Sequence, residues 1–299
     1  AGMETIAITT ELAKSTLAAL TATAATKLTV ACDQDLTITG ALNFAGTGAI
    51  AGTVDASSFT GKLNLNLATA EDTDVTGGTT DDTFSYGTTL TVVDKLNGGG
   101  GTDIISVNQD TFTLATFTEM QSIETIKQEA TNGNALTLTT AGSTALELVQ
   151  LVENNTDNNN ITASDLAAGV AVELISDADA IPDENMATVT LGLNDASGDS
   201  DSMTVTLKGT SGHGAASNTI DTLSIGNVET VNLVSSRDGT TALLATDDNT
   251  ITSAVLTNAT TLNMSGSDQL AVTVATTTTL TTADASTMTD DVSLTLDNV

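Results

Sequence analysis

Aliphatic residues alternate with threonine, serine or asparagine along this whole chain, and that period of two decides what it can fold into. It is plainest in Lys27-Leu-Thr-Val30, Leu36-Thr-Ile38, Lys62-Leu-Asn-Leu-Asn-Leu67, Leu136-Thr-Leu138, Met203-Thr-Val-Thr-Leu207 and Val292-Ser-Leu-Thr-Leu296. A strand sends successive side chains to opposite faces, so each segment has one apolar and one polar face. Gly, Asn and Asp punctuate the segments at short intervals. The expected class is all-β. Helix is expected only at Glu11–Ala25 and Ser143–Val152.

Repetition narrows the class further. Ala24-Ala-Thr-Lys-Leu-Thr-Val30 is echoed by Asn258-Ala-Thr-Thr-Leu-Asn-Met264. Val54-Asp-Ala-Ser-Ser-Phe-Thr-Gly-Lys-Leu-Asn-Leu65 is echoed by Ala283-Asp-Ala-Ser-Thr-Met-Thr-Asp-Asp-Val-Ser-Leu294, in the same order. A third echo joins Ile123-Glu-Thr-Ile126 to Val228-Glu-Thr-Val231. Ordered echoes of short strands predict stacked coils, a parallel β-helix or β-solenoid with a roll-like cross-section. The expected organisation is a β-rich repeat unit over 1–70, glycine-rich turns over 71–110, and a continuing solenoid over 111–299. No basic residue lies between Lys127 and Lys208 while acidic ones accumulate there. The stretch from about 145 to 215 therefore reads either as an acidic insertion or as a solvated acidic face.

Charge removes several functions. The chain has 38 Asp and Glu against 7 Lys and Arg, a net charge of −31 over 299 residues. The basic residues form no cluster, and a nucleic-acid partner needs clustered cations. Disorder is the usual meaning of such a charge, but 39% hydrophobic residues and a mean hydropathy of +0.12 oppose it. Thr and Val suit a pleated surface. No apolar run approaches the roughly 20 residues of a membrane-spanning helix, so membrane insertion is not expected. Ala1 to Leu20 lacks the pattern of a secretory leader, so the expectation is a leader removed, another export route, or a sequence that is a piece of a longer chain.

Catalysis finds little support. The single histidine, His213, sits in Ser211-Gly-His-Gly214, small residues that cannot hold an imidazole in place. Carboxylate pairs can be drawn anywhere in so acidic a chain, and one arginine is a poor endowment for an acidic polysaccharide substrate. With no Trp and only Tyr86, the chain lacks the aromatic surface on which sugars stack, which leaves calcium-mediated sugar contact as the open route. One cysteine, Cys32, excludes an intrachain disulfide and is expected to be a small buried hydrophobe. The protein is expected not to be an enzyme.

Gly98-Gly99-Gly100-Gly101-Thr102-Asp103-Ile104-Ile105-Ser106 fits the nonapeptide G-G-x-G-x-D-x-U-x at every fixed position. Gly77-Gly78-Thr79-Thr80-Asp81-Asp82-Thr83-Phe84-Ser85 fits it except where Thr80 replaces the third glycine. Glycines allow a tight turn with exposed carbonyls, and the aspartate adds a hard anionic oxygen of the kind Ca²⁺ prefers. Ile105 and Phe84, two places after each aspartate, should point inward. The expected calcium set is Gly77, Gly78, Thr80, Asp82, Gly98, Gly99, Gly101 and Asp103, with Asp72, Asp74 and Asp81 as neighbours. Thr80 is the doubtful member, because a β-branched residue resists positive φ.

These motifs, in the order Asp-Ala-Ser, Thr-Gly-Gly-x-x-x-Asp-Thr-Phe, Leu-Asn-Gly-Gly-x-Gly-Thr-Asp and Ile-Glu-Thr-Ile, resemble RTX-type surface-layer proteins of Gram-negative bacteria. The resemblance spans Val54 to about Ile126, with weaker echoes from Val228 to Val299. It implies a secreted, calcium-binding subunit of a self-assembling lattice on the cell surface. Its partners would be copies of itself and lipopolysaccharide, bridged by divalent ions. An extracellular filament, matrix or adhesin subunit, or an export module of a toxin or secreted enzyme, are the alternative expectations.

Overall fold

The computed structural model describes residues 4–20, 24–46, 49–69, 71–131, 134–153, 159–176, 185–210, 218–238, 249–275 and 279–297. Among them no α-helix occurs, and a single 3-10 turn covers Leu114–Thr116. Two compact units are built on one plan. The first comprises Ala1–Asn108 with Leu114–Lys127, the second Gln109–Thr113 with Gln128–Val299.

Successive strands of the first unit alternate between two sheets. β1 (Thr5–Thr10), β3 (Lys27–Cys32), β5 (Gly52–Asp55), β7 (Thr73–Thr76) and β9 (Lys95–Asn97) form one sheet. β2 (Ser15–Leu17), β4 (Leu36–Ile38), β6 (Leu63–Asn66), β8 (Thr83–Gly87) and β10 (Ile104–Val107) pair in that order in the other. β11 (Thr111–Thr113) belongs to the second unit, and β12 (Met120–Gln121) returns to the edge of β9. Every described pairing is parallel, so each circuit of chain adds one strand to each sheet. That is the chain path of a parallel β-solenoid.

The period-two pattern explains why this path holds. In register, Ile38, Leu65, Phe84 and Ile105 stack on consecutive coils, and none is exposed. Leu28, Val54, Val75 and Leu96 form the matching inner column of the other sheet. Each side chain so buried is worth roughly 1.5–3 kcal/mol. A slip of one residue would turn every one of them outward. The inward placement expected of Phe84 and Ile105 holds. Tyr86 is buried in the same interior, at 1% exposure, and cannot offer its ring to a sugar.

The second unit repeats the arrangement after β13 (Thr125–Glu129). One of its sheets runs β11, β14 (Leu136–Thr139), β16 (Asn159–Leu166), β18 (Asn185–Leu193), β20 (Thr219–Ile225), β22 (Asn249–Leu256), β24 (Leu270–Val274) and β26 (Val292–Leu296). The other has β15 (Leu148–Glu153), β17 (Ala171–Ser176), β19 (Ser202–Thr210), β21 (Thr230–Asp238), β23 (Thr261–Gly266) and β25 (Thr282–Met288) in order. Val149, Val172, Val205, Leu233 and Met264 stack inside it. The acidic stretch near 145–215 supplies β15 to β19, which pair in the same parallel ladders as their neighbours.

Three expectations need correction. Glu11–Ala25 is not helical where described: β2 lies inside it and pairs with β4, and exposed Leu12 has φ 70°, which no helix tolerates. Ser143–Val152 ends in β15 for the same reason, since pairing to a neighbouring coil outweighs a weak helical preference. Cys32 is only half-buried, because it leaves β3 at φ 83° and turns the corner toward Asp33. His213 lies outside the described residues. Among the described residues no helix is long and apolar enough to cross a membrane.

Candidate metal site at the stacked glycine turns

The two glycine-rich motifs lie directly over one another, one coil apart. Gly100 donates its amide to the carbonyl of Gly78 at 3.1 Å, and Ile104 pairs with Thr83 as both chains enter their strands. The glycines are there because the coils nearly touch. A Cβ on Gly77 would lie 2.0 Å from the carbonyl oxygen of Gly98, and one on Gly98 would lie 2.0 Å from that of Ser122. Gly99 and Gly101 adopt φ 104° and φ 117°. Thr80 is not in the left-handed region, so its β-branch causes no strain, and its hydroxyl donates to the Gly61 carbonyl at 2.8 Å. The two turns share a sequence motif but not a backbone conformation at this position.

Gly98→Ala should therefore cost roughly 1–3 kcal/mol or more, since main chain and not a flexible tip stands in the way. Gly100→Ala, whose Cβ would find its nearest neighbour at 3.7 Å, should be close to neutral. Urea unfolding of the two variants beside the unaltered chain measures the difference.

Asp82 and Asp103 project into the wall of the solenoid, with 1% and 0% exposure. Each takes a main-chain amide from the coil before it. Leu63 donates to Oδ1 of Asp82 at 2.9 Å, and Asp82 donates its own amide to Oδ1 of Asp103 at 2.8 Å. The ladder continues to a residue that the motif does not contain, because Asp103 donates its amide to Oε2 of Glu124 at 2.7 Å. Asp82 and Asp103, like Asp103 and Glu124, are 21 positions apart, the length of a coil here. That spacing was readable in the sequence and would have led to Glu124. Asp94 plays a like part at the other sheet, accepting the amide and hydroxyl of Thr73 across 21 positions.

The two motif aspartates differ in how fully they are satisfied. Oδ2 of Asp82 takes the Gly78 amide at 2.6 Å, so both its oxygens are bonded. Oδ2 of Asp103 has no partner and is buried. It faces Gly98, whose Cβ would stand 2.4 Å away. Burial, reinforced by the charges of Asp82, Glu124 and Asp81, pushes the Asp103 carboxyl up to about 7. Burial also raises Asp82 and Asp94.

The neighbouring carboxylates do other work. Asp81 is exposed and holds Lys62 at 2.8 Å and the Thr102 amide at 3.0 Å, and the Lys62 bond keeps it below the usual range. Asp72 accepts the Thr91 hydroxyl at 2.6 Å, while Asp74 sits in β7 opposite Lys95 of β9. Neither hydrogen-bonds to the ladder. Among the described residues no three Asp, Glu, His or Cys side chains converge as a ready-made metal cluster. A cation at Asp103 would thus draw on main-chain carbonyls as well, which the glycine turns expose and which hard divalent ions accept. The unpartnered oxygen of Asp103 fits that role, and the Ser122 carbonyl stands close to the same glycine turn, at Gly98.

No family model, no curated protein and no solved structure matches the chain.

Proposed function

We propose that the protein is a structural subunit of a calcium-dependent, self-assembling extracellular layer on a bacterial cell surface, and that it catalyses nothing. The observation that carries this reading is Asp103, a wholly buried carboxylate with one bare oxygen at a glycine turn. Beside it stand Asp82 and Glu124, with no basic side chain bonded to any of the three. A divalent ion there would neutralise close like charges and fix two coils to each other. Gly77, Gly78, Thr80, Asp82, Gly98, Gly99, Gly101 and Asp103 shape or line the place, and ligand oxygens would stand roughly 2.3–2.6 Å from the ion.

The same ion supports assembly. Subunits of net charge −31 repel each other and any anionic surface. Monovalent salt screens such charge beyond about 8 Å but cannot join two carboxylates. Calcium can bridge carboxylates of neighbouring copies, or carboxylate and lipopolysaccharide phosphate. The threonine, serine and asparagine side chains at the outward positions of the strands can hydrogen-bond to neighbouring copies.

Electron microscopy and light scattering of the purified protein across a calcium titration test this. Ordered arrays should form with calcium, disperse on chelation, and fail to form in sodium chloride of equal ionic strength. Planar order supports a layer and helical order a filament. Assembly indifferent to chelator would sink the calcium mechanism.

A further inference from the structure

The Ile123-Glu-Thr-Ile126 and Val228-Glu-Thr-Val231 echo marks the same corner in the two units. In the first, Glu124 accepts the Asp103 amide, and the amides of Glu124 and Thr125 return to the Asp103 carbonyl at 3.2 and 3.0 Å. In the second, Glu229 accepts the Asp201 amide at 2.9 Å, and the amides of Glu229 and Thr230 return to the Asp201 carbonyl at 3.1 and 3.0 Å. Ile123 and Val228 anchor the two corners from inside.

The likeness extends to the feature that points to a ligand. Oδ2 of Asp201, like Oδ2 of Asp103, is shielded to below 1 Å² and has no hydrogen-bond partner. It also faces a glycine: a Cβ on Gly198 would lie 3.2 Å from it. The turn that carries this glycine, Asp195-Ala-Ser-Gly-Asp-Ser-Asp201, places oxygen-bearing side chains at alternate positions. Asp195 is bonded within it to the Ser197 amide and hydroxyl, while Asp199 and Ser200 are exposed. The two basic residues of this unit stand elsewhere, Lys208 against Glu173 and Arg237 against Asp268. Asp201 is half-buried where Asp103 is wholly so, but its shielded oxygen stands beside a second carboxylate and, among the described residues, has no bonded cation.

The geometry points to a second divalent-cation site at the Asp201–Glu229 corner, built on the plan of the Asp103–Glu124 corner. Asp201 Oδ2 and Glu229 supply the charge, and oxygens of the Asp195–Ser200 turn complete the shell. This rests on the calcium reading of Asp103. It adds a site where the nonapeptide motif is absent, and it makes the aspartate–glutamate pair one coil apart, rather than the glycine run, the mark of an ion. By the same mark Asp82, with both oxygens bonded, is a neighbour and not the principal ligand.

The test is calcium binding to the full chain after exhaustive chelation and dialysis, read by calorimetry and by terbium luminescence. Two ions should bind at these corners. Asp201→Asn should abolish one or weaken it at least tenfold, and Asp103→Asn should do the same to the other. Glu229→Gln keeps an oxygen for the Asp201 amide while removing charge, so a tenfold loss there reads the site without removing that bond. Circular dichroism confirms that each variant is folded. A wild-type stoichiometry of one, lost in Asp103→Asn, overturns the second site and leaves the calcium reading standing. Two ions that persist unchanged in Asp201→Asn and Glu229→Gln also overturn it. A chain that binds neither calcium nor terbium overturns both readings.

Discussion

Asp103→Asn is expected to stabilise the protein when calcium is removed and to destabilise it when calcium is present. In the calcium-free chain at pH 8, the carboxylate is charged, wholly buried and one oxygen short of a partner. An uncompensated buried charge costs more than a buried amide of the same shape. Asparagine can keep the Oδ1 acceptor for the Asp82 amide, so the substitution should gain about 1–3 kcal/mol there. With calcium at a hundredfold excess over Kd, a bound ion stabilises the native chain by about 2.7 kcal/mol. Asparagine gives up most of that gain, and the sign reverses. Asp103→Ala should cost stability in both conditions, because it orphans the Asp82 amide. Asp199→Asn, on an exposed turn, should stay within about 0.5 kcal/mol in unfolding experiments at both calcium levels. A loss on Asp103→Asn that is equal with and without chelator would show that this carboxylate is only an amide acceptor.

Acidification of the calcium-free protein from neutral pH is the second large effect. Asp103 titrates near 7 in the folded chain against 3.8 unfolded, and Asp82 and Asp94 shift in the same direction. Within that window the folded state holds more protons than the unfolded one. The stabilisation is therefore complete below about pH 3.8 and is lost as pH rises through about 7. For Asp103 alone the ceiling is about 4 kcal/mol. Other carboxylates oppose it at the acid end. The Lys62 bond to Asp81 and the Ser57, Ser197 and Ser286 bonds to Asp55, Asp195 and Asp284 lower those groups, so their contributions vanish below about pH 4. Thermal unfolding in chelator should show a stability maximum between about pH 4 and 5. Calcium, competing with the proton, should flatten the curve and move the maximum toward neutral pH. A calcium-free maximum above pH 7 would contradict the burial argument.

Stability of this kind would serve the surface role proposed above. A surface subunit is made inside the cell, where free calcium is scarce, and would work outside, where it is plentiful. Carboxylates that loosen the fold without the ion and fasten it with the ion would couple folding to export. Circular dichroism of the chelated chain, before and after calcium is added, reports that transition.

Much of the fold was legible because a solenoid writes itself locally. Leu36, Leu63 and the column Ile38, Leu65, Phe84, Ile105 are apolar at every second position, and each needs only its neighbour one coil away. The Asp-Ala-Ser echo also has a local cause, since Asp55 and Asp284 each cap the amide of the serine two places on. Glu11–Ala25 misled because its composition suits a helix, and only pairing of β2 with β4 overrules that preference.

What the sequence by itself determined is the class, the inward residues and the two glycine turns, because alternation and close coil contact act within one coil or between adjacent ones. The tertiary structure alone decided how the carboxylates are used. Glycines and aspartates make Asp82 and Asp103 look alike, yet Gly78 closes the second oxygen of one and nothing closes that of the other. Glu124, Asp94, Asp201 and Glu229 lie outside the nonapeptide motif. They gain their roles from the stacking register, which brings a carboxylate and an amide from different coils together.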